Sequence, residues 1–302
     1  MKTKKDKQSR RNFCLKAVSA TIGAIGGTGL VAQSCKQSES SGETVSLLSP
    51  DGKLVQVDKS ALPPVSNVPP VSPDEARKGI PGKHFVMVVD LARCRNARKC
   101  ISACEHHHQI TPDRPYIKVL RMQDNKESAP YWMPKKCFHC DNPPCVKVCP
   151  VGATYKRSDG LVLIDNERCI GCRFCMAACP YSARVFNWGE PKAQETHHGY
   201  SPETSIPSQI GTVEKCDFCP DMLRQNKVPH CITSCPNGAL YFGDRNSDSV
   251  TNSSETVRLS TLLREKAAYR YHEELGTEPN VYYLPPTDRL FPFKDAPEGQ
   301  SS

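Results

Sequence analysis

The sequence predicts an α+β fold whose interior contains more than packed apolar side chains. Short apolar segments bounded by turn residues alternate with cysteine-rich loops, and one helical pattern lies near the C-terminus. Of the 302 residues, 17 are cysteines and only 38% are hydrophobic. A chain of this length normally buries a large apolar core. Cysteine chemistry is therefore expected to supply part of what holds the interior together.

Residues 1–34 are predicted to be an export signal. Arg10 and Arg11 precede Phe13, and a weakly apolar, glycine-containing segment follows in residues 17–32. This arrangement resembles a twin-arginine (Tat) signal, which implies export of a folded protein to the periplasm. A basic N-terminus on a cytosolic protein is the alternative. Seven of the Lys and Arg residues lie in this segment with one Asp, so the formal charge of +8 falls to about +2 for the rest of the chain. No nucleic-acid-binding function is indicated.

Residues 35–83 are predicted to be a Ser/Pro-rich linker. Cys35 directly follows three residues typical of a cleavage site and could accept a lipid, which would tether the protein to the inner membrane. An unmodified Cys35 is equally compatible with the sequence. Residues 46–58 alternate like a hairpin around a Ser-Pro-Asp-Gly turn, and six prolines between residues 63 and 81 predict an extended spacer. No segment beyond the first forty residues has the roughly 18 to 20 apolar residues of a membrane-spanning helix.

Fifteen cysteines lie between residues 94 and 235, in four runs. The first run is Cys94, Cys100 and Cys104; the second is Cys137, Cys140, Cys145 and Cys149; the third is Cys169, Cys172, Cys175 and Cys179; the fourth is Cys216, Cys219, Cys231 and Cys235. The third run has the spacing C-x2-C-x2-C-x3-C-P, and the second and fourth also end in C-x3-C-P. Three thiolates converging from a tight loop, with a fourth arriving from elsewhere, suit an iron–sulfur cluster.

Two other interpretations use the same residues. Zinc sites are built from separated C-x2-C pairs and do not require three cysteines at intervals of three followed by C-P. A structural zinc protein that holds an interaction surface is nevertheless the alternative from a different functional class. A disulfide scaffold is compatible with an exported chain, but fifteen is an odd number and neighbouring cysteines would compete for partners. The spacing favours iron–sulfur clusters.

The segment Cys137-Phe138-His139-Cys140 and the runs after it resemble the four-cluster ferredoxin-type iron–sulfur subunits of the dimethyl-sulfoxide reductase, polysulfide reductase and formate-dependent nitrite reductase complexes. The resemblance covers residues 83–243 and places a tetracluster ferredoxin-like domain at 84–245. It implies two interleaved bacterial-ferredoxin-like halves. In such halves the second and third runs exchange their last cysteines, and the first and fourth runs do the same.

The same resemblance implies the ligand sets. One [4Fe-4S] cluster takes Cys137, Cys140, Cys145 and Cys179, a second takes Cys169, Cys172, Cys175 and Cys149, and a third takes Cys216, Cys219, Cys231 and Cys104. The fourth site departs from the family, because Ala97 stands where a ligand belongs and only Cys94, Cys100 and Cys235 remain. A [3Fe-4S] cluster, which needs three protein thiolates, is the expected occupant; a four-iron cluster with a non-cysteine ligand and an empty site are the alternatives. Basic residues near the runs are expected to offset the cluster charge, with an ordinary solvated charge as the alternative for each of them: Arg95, Arg98, Lys99, Lys135, Lys136, Arg168 and Arg173.

Short strands are predicted around the runs, at residues 85–90, 116–122, 154–157, 161–165 and 239–243. Residues 246–302 are predicted to be a C-terminal helix and docking tail. Within this segment the helix covers residues 260–275 and Gly276 stops it. Residues 281–284 return as an edge strand or an arm on a partner, and packing against the ferredoxin-like body is preferred to a partner-binding arm. The triplet His106-His107-His108 is interpreted as a solvated helix end in preference to a metal or proton site.

No nucleophile or acid–base pair in the sequence would make the chain an enzyme on its own, and the implied clusters carry single electrons. We therefore predict an electron-transfer subunit of a periplasmic, membrane-associated respiratory oxidoreductase complex. By resemblance, its partners are a quinone-reactive NrfD-like membrane subunit near Cys149 and a molybdopterin catalytic subunit at the opposite end. Because the altered cluster lies at that end, a quinol–multihaem cytochrome c complex of the alternative complex III type is the second interpretation.

Overall fold

The computed structural model describes residues 44–48, 54–58, 71–126, 128–189 and 200–287. The predicted signal in residues 1–34, Cys35 and most of the linker lie outside these ranges. Within the described part, no helix is both long and apolar enough to cross a membrane.

The described residues form short strands and short helices in alternation. The strands are β1 (Thr44–Leu48), β2 (Leu54–Asp58), β3 (Phe85–Asp90), β4 (Lys118–Met122), β5 (Tyr131–Lys135), β6 (Thr154–Lys156), β7 (Val162–Ile164), β8 (Val185–Phe186), β9 (Val213–Glu214), β10 (Leu240–Asp244), β11 (Ser249–Thr251), β12 (Thr256–Arg258), β13 (Tyr269–Arg270) and β14 (Val281–Leu284). The helices are α1 (Pro73–Lys78), α2 (Lys99–His107), α3 (Pro144–Lys147), α4 (Phe174–Ala177), α5 (Pro220–Arg224), α6 (His230–Thr233) and α7 (Leu259–Glu265). The α+β class is therefore confirmed.

A six-stranded sheet in the order β12-β11-β10-β3-β14-β13 organises the fold. β3 lies at its predicted position and pairs antiparallel with β10 and parallel with β14. Phe85, Met87 and Val89 face the larger core, which contains buried cysteines of all the runs except the third. Val86 and Val88 face a smaller core against α7. Burial on both faces explains why the apolar segment of β3 is uninterrupted.

Separate two-stranded sheets lie beside this central sheet. The predicted hairpin in residues 46–58 is present as β1 and β2, with Leu48 opposite Leu54. The strands predicted at 154–157 and 161–165 pair as β6 and β7. The turn between them is braced by an ion pair between the Arg157 and Asp159 side chains, which have no solvent exposure.

The predicted helix over residues 260–275 is wrong beyond Glu265. α7 ends there, and Ala267 adopts φ +48°, which interrupts a right-handed helix. β13 follows and pairs antiparallel with β14. The helical spacing of apolar residues continues past the end of α7. The chain nevertheless forms a strand there, because pairing with β14 outweighs the local helical pattern.

Residues 281–284 form the predicted strand and pack against the cysteine-rich body, as preferred from the sequence, but the strand does not lie at an edge of the sheet. β14 lies between β3 and β13, with Val281, Tyr283 and Leu284 buried. The preceding Asn280 is fully buried, and its Nδ2 donates to the carbonyl oxygen of His139 at 2.8 Å. The C-terminal strand therefore helps to position the second cysteine run.

The structure contains a helix near the end of the predicted spacer. α1 begins with a capping box, in which the Ser72 hydroxyl accepts from the Glu75 N–H and the Glu75 carboxylate accepts from the Ser72 N–H. Arg77 forms an ion pair with Asp165 at 3.3 Å, and the N–H of Ile80 donates to the Asp159 carboxylate at 2.9 Å. These contacts attach residues 72–80 to the β6–β7 hairpin and the loop that follows it.

Candidate metal centres

The fifteen cysteines of the four runs are free thiols in the described structure, and they converge in four groups. Group 1 is Cys149, Cys169, Cys172 and Cys175; group 2 is Cys137, Cys140, Cys145 and Cys179; group 3 is Cys104, Cys216, Cys219 and Cys231; group 4 is Cys94, Cys100 and Cys235. The structure thus brings together the same sets that the family resemblance implies. Neighbouring runs contribute to each other's groups, and no disulfide forms among these residues.

Groups 1, 2 and 4 each line a cavity that opens toward the surface. The space free of protein atoms is about 310 Å³ at group 1, about 350 Å³ at group 2 and about 350 Å³ at group 4, part of it continuous with solvent. The thiols of group 3 are buried by the surrounding core. Four cysteines line each of the cavities of groups 1 and 2, more than any other residue type, so sulfur is the most abundant potential metal ligand there.

The loops of groups 1 and 4 have the same backbone conformation where each meets its helix. Arg173 has φ +61° and is the N-cap residue of α4, and Arg98 has φ +54° and is the N-cap residue of α2. The residue before the arginine is Cys172 in group 1 and Ala97 in group 4, and each lines its cavity. The loop has therefore kept its shape while the thiol is missing. Ala97 occupies the position that the sequence predicts for the absent ligand.

Two pairs of groups adjoin directly. Cys175 of group 1 interacts electrostatically with Cys145 of group 2. Cys100 of group 4 interacts in the same way with Cys231 of group 3. Each pair is formed by runs that exchange cysteines, so the exchange places two groups next to each other.

A single imidazole connects the two pairs. His139, between two cysteines of group 2, is fully buried, and its Nε2 lies 3.0 Å from the carbonyl oxygen of Cys216 in group 3. Burial holds the pKa of His139 well below its usual range, so the ring is neutral. The groups consequently follow one another as 1, 2, 3 and 4, with Cys172 exposed in the first and Ala97 exposed in the last.

The buried thiols are poor acids without a metal. Burial raises the pKa of Cys100 and of Cys140 to about 12, and it also raises the pKa values of Cys104, Cys219 and Cys231. A thiolate in such surroundings has to be stabilised by a positive partner, and metal binding supplies one because the ligand must be deprotonated. The donor set therefore fits a bound metal centre and does not fit five isolated buried thiolates.

Several N–H groups point at the sulfurs. The N–H of Thr154 donates to Cys149 Sγ at 3.4 Å, and that of Ala239 donates to Cys235 Sγ at 3.3 Å. Burial by itself would raise the pKa of the Cys149 thiol, but backbone N–H donors outweigh this effect and the pKa is lowered. Hydrogen bonds to sulfur stabilise its negative charge and shift the potential of a bound cluster.

Two buried cations have polar atoms without hydrogen-bond partners in the described structure. Lys136 is 1% exposed and its Nζ is unpaired; it interacts with thiols of both group 3 and group 4. Arg184 is 5% exposed with an unpaired Nη2. Although burial acts in the opposite direction, Cys145, Cys175 and Cys137 raise the pKa of Arg184. A buried charge with N–H groups left unpaired is costly, and an anionic cluster beside each of these cations would neutralise it.

The two buried cations change the set of basic residues that the sequence suggested for offsetting the cluster charge. Lys136 is among the seven residues expected from the sequence, and it is buried. Five others are exposed: Arg95, Arg98, Lys99, Arg168 and Arg173. Arg184 was missed because its position, five residues after Cys179, has no special spacing. Only the folded chain shows that its guanidinium lies beside groups 1 and 2.

The spacing of the sulfurs distinguishes a cluster from a single zinc ion. Four thiolates around one zinc at about 2.3 Å lie about 3.8 Å apart. Among the described residues, the sets of three or more ligand atoms within 4.8 Å of one another are His107, Asp221 and His230, and His108, Asp217 and Cys219. Neither set consists of cysteines. The thiol groups are thus too open for a single zinc ion and fit a cage in which each sulfur binds a different iron.

The histidine triplet is only in part the solvated helix end predicted from the sequence. His106 is exposed, His107 is half-buried, and His108 is 2% exposed. His108 Nε2 lies 3.5 Å from Cys219 Sγ and 3.5 Å from the Asp217 carboxylate. The prediction is wrong for His108 because α5 and the fourth run pack over the end of α2.

Comparison with known proteins agrees with this chemistry. A family model described as a 4Fe-4S dicluster domain matches residues 128–201 and 203–245. A selenate reductase subunit of Mesobacillus selenatarsenatis is 33% identical over 293 residues, which is 91% of this chain and 97% of that protein. The chain belongs to the family of iron–sulfur subunits of respiratory reductases.

Other members of this iron–sulfur subunit family are similar over most of their length. A putative dimethyl sulfoxide reductase iron-sulfur subunit of Halobacterium salinarum is 36% identical over 216 residues, covering 67% of this chain and 79% of that protein. A tetrathionate reductase subunit of Salmonella typhimurium is 35% identical over 222 residues, covering 71% and 77%. The predictions of an iron–sulfur cofactor and of an electron-transfer subunit in a respiratory complex are confirmed.

Proposed function

We propose that the chain relays single electrons through three [4Fe-4S] clusters and one [3Fe-4S] cluster. The observation that carries this proposal is the row of four thiol groups, three with four cysteines and the last with three cysteines and Ala97. When bound, such clusters supply one-electron chemistry. The exchange of cysteines between runs supports two interleaved ferredoxin-like halves, one containing groups 1 and 2 and the other groups 3 and 4.

The chain's own residues hold and tune these centres. The fifteen cysteines of groups 1 to 4 would be the ligands. Lys136 and Arg184 would offset cluster charge between neighbouring groups, and N–H donors such as that of Thr154 would stabilise thiolate sulfur. His139 separates groups 2 and 3 with a neutral, packed imidazole, which keeps water out of this part of the row.

The relay runs between a quinone-reactive NrfD-like membrane subunit at group 1 and a second partner at group 4. Around Cys172 the surface is apolar: Ile170 is 63% exposed, Phe174 61% and Trp188 69%. The Arg173 guanidinium lies 5.0 Å from the centre of the Trp188 ring. Large apolar side chains clustered at an exposed cofactor loop favour a docked partner, and an apolar membrane subunit is the partner expected there.

The partner at group 4 is proposed to be a molybdopterin catalytic subunit. Arg95, Arg98 and Lys99 are exposed around the loop that contains Ala97, which favours an acidic docking surface. The missing ligand at the same loop favours the second candidate, a quinol–multihaem cytochrome c complex. Purifying the native assembly through a tag on this chain separates the two: a molybdopterin-containing subunit supports the first candidate, and covalently bound haem supports the second.

We also propose, on the basis of the Tat-like segment, that the mature chain is periplasmic and lies against the inner membrane, with a lipid on Cys35 as its anchor. The double substitution Arg10→Lys and Arg11→Lys should leave the protein in the cytoplasmic fraction. The mass of the mature N-terminal peptide should show a lipid on Cys35. Normal export of the double variant would contradict a Tat route.

Iron and sulfide quantitation of the anaerobically purified protein tests the cluster assignment. About fifteen irons per chain are expected from three four-iron clusters and one three-iron cluster, together with a three-iron signal in the electron paramagnetic resonance (EPR) spectrum of the oxidised protein. About twelve irons would mean that group 4 is empty. A protein without iron or labile sulfide even after reconstitution would overturn the electron relay.

A further inference from the structure

Three short helices that carry or directly follow cysteines of group 3 meet beside a set of side chains that no cluster uses. His107 lies in the last turn of α2, Asp221 in the first turn of α5, and His230 at the start of α6. Their ligand atoms all lie within 4.8 Å of one another. His107 Nε2 is 3.0 Å from Asp221 Oδ2, although these two residues are 114 positions apart in sequence. Only the fold assembles this set.

The set has unused ligand capacity. Asp221 Oδ1 and His230 Nε2 are buried atoms without a hydrogen-bond partner in the described structure. The imidazole rings of His107 and His230 lie 3.6 Å apart between centroids, an arrangement that two positively charged rings would oppose. Neutral imidazole is the form that binds a metal.

We propose that His107, Asp221 and His230 bind one zinc ion, separate from the iron–sulfur clusters. Two imidazoles and one carboxylate are a donor set that zinc uses, with the fourth position left to water. The nitrogen donors disfavour magnesium and calcium, which prefer oxygen ligands. The side chains of His107 and Asp221 are 28% and 35% exposed, so the ion can enter from solvent.

The adjacent set of His108, Asp217 and Cys219 is not a second zinc site. Cys219 belongs to group 3, and its sulfur is committed to the cluster there. His108 Nε2, at 3.5 Å from this sulfur, is placed to interact with the thiolate. The proposed zinc site is closer to solvent than this set, at the same three helices.

A zinc ion at this position would join the helices that hold group 3. Cys104 is on α2, Cys219 directly precedes α5, and Cys231 follows His230 on α6. The backbone N–H of His230 also donates to the Cys219 thiol. Fixing the three helices together should slow loss of the group 3 cluster, so the ion has a structural role.

The test uses the full-length, anaerobically purified holoprotein. It is incubated with one equivalent of ZnCl2, desalted, and analysed for zinc and iron by mass spectrometry. The wild type should retain about one zinc per chain, and the variants Asp221→Asn and His230→Gln should retain at least about ten-fold less, as expected when a ligand is lost. His272→Ala removes an exposed histidine paired with Glu274 and should retain zinc like the wild type. A circular dichroism spectrum like that of the wild type shows that each variant is folded, independently of any faster loss of the group 3 cluster.

Zinc K-edge X-ray absorption of the wild type tests the site without any substitution. Two imidazole nitrogens and oxygen ligands support the proposal, whereas sulfur ligation would place the ion at a cysteine group and overturn it. The proposal would also be overturned if the wild type retained no zinc, or if both variants retained as much zinc as the wild type. Because zinc and iron are counted separately, a failure of the cluster assignment remains distinguishable from a failure of the zinc site.

Discussion

His139 and Cys216 are joined by a hydrogen bond of 3.0 Å from the imidazole Nε2 to the backbone carbonyl oxygen. The opposite ring nitrogen, Nδ1, accepts from the N–H of Val162 at 3.0 Å, so the proton resides on Nε2. The ring also stacks on Phe218 with centroids 3.8 Å apart. One neutral side chain thus ties the loop of group 2 to the β6–β7 hairpin and to the fourth cysteine run.

We expect His139→Ala to destabilise the protein by about 3 to 5 kcal/mol. The substitution leaves the buried N–H of Val162 unpaired and removes one of the two donors to the Cys216 carbonyl, the other being Lys215 Nζ. It also creates a cavity where the ring was. The measurement is the anaerobic thermal unfolding midpoint of the cluster-loaded protein. The control His272→Ala changes an exposed ring and should leave the midpoint unchanged. If His139→Ala unfolds at the same temperature as the wild type, the contacts of the His139 ring with Val162 and Cys216 do not contribute to stability.

Lys136→Met should lower the reduction potentials of the clusters in groups 3 and 4. Removing a buried positive charge disfavours the more negative, reduced state of a neighbouring cluster. A unit charge at about 8 Å with an effective dielectric of about 20 contributes about 2 kcal/mol, or roughly 90 mV for one electron. EPR-monitored redox titration measures the shift. Lys118→Met, at an exposed lysine, should leave all potentials unchanged, and unchanged potentials in Lys136→Met would rule out the tuning role.

Ala97→Cys should convert the three-iron cluster of group 4 into a four-iron cluster. The substitution restores the spacing C-x2-C-x2-C-x3-C in a loop whose backbone already matches that of group 1. Iron content should rise by about one per chain, and the EPR signal of the oxidised three-iron cluster should disappear. Persistence of that signal would mean that the side chain at position 97 does not reach the cluster.

Gly171→Ala should disrupt the loop of group 1. Gly171 has φ +69°, and a Cβ atom there would lie 2.2 Å from the carbonyl oxygen of Gly211. The loop must move, and about four irons per chain should be lost with the group 1 cluster. Gly152→Ala is a matched control, because Gly152 has φ +61° but open space around its Cβ position. Equal iron content in the two variants would show that the close approach to Gly211 is not required.

Asp244→Asn should destabilise the protein at neutral pH by about 1 to 3 kcal/mol. The carboxylate accepts from the N–H groups of His84 and Asn246 and pairs with Lys83. Burial acts in the opposite direction, but these partners lower the pKa of Asp244 below its usual value. The pKa of Asp244 is lower in the folded state than in the unfolded state, so the ionised carboxylate stabilises the fold. This stabilisation is complete above the unfolded-state pKa of about 3.9. It is lost as the pH falls through the folded-state pKa.

The unfolding midpoint measured against pH tests this dependence. The difference between wild type and Asp244→Asn should be constant from pH 7 to about pH 5 and should shrink below about pH 4. Asp74→Asn changes an exposed carboxylate in α1 and should show no such pattern. A pH-independent difference for Asp244→Asn would indicate that the ionised carboxylate contributes nothing specific.

Much of the candidate site was predictable because the spacing of its cysteines is local. Three thiols within one tight loop define a cluster-binding run, and the exception at Ala97 is visible in the same spacing. β3 was also predictable, since a strand buried on both faces must be apolar throughout. By contrast, the helix predicted beyond Glu265 failed, because β14 supplied a strand partner that no local pattern records.

The sequence by itself determined the cofactor chemistry, the fifteen cysteines and the altered fourth site. Only the tertiary structure decided which charges become buried beside the groups, as at Lys136 and Arg184, and which distant side chains meet, as at His107, Asp221 and His230. The reason is physical: a tight loop sets the directions of its own thiols. Burial and ligand distances across several elements, in contrast, depend on how helices and strands far apart in the chain pack together.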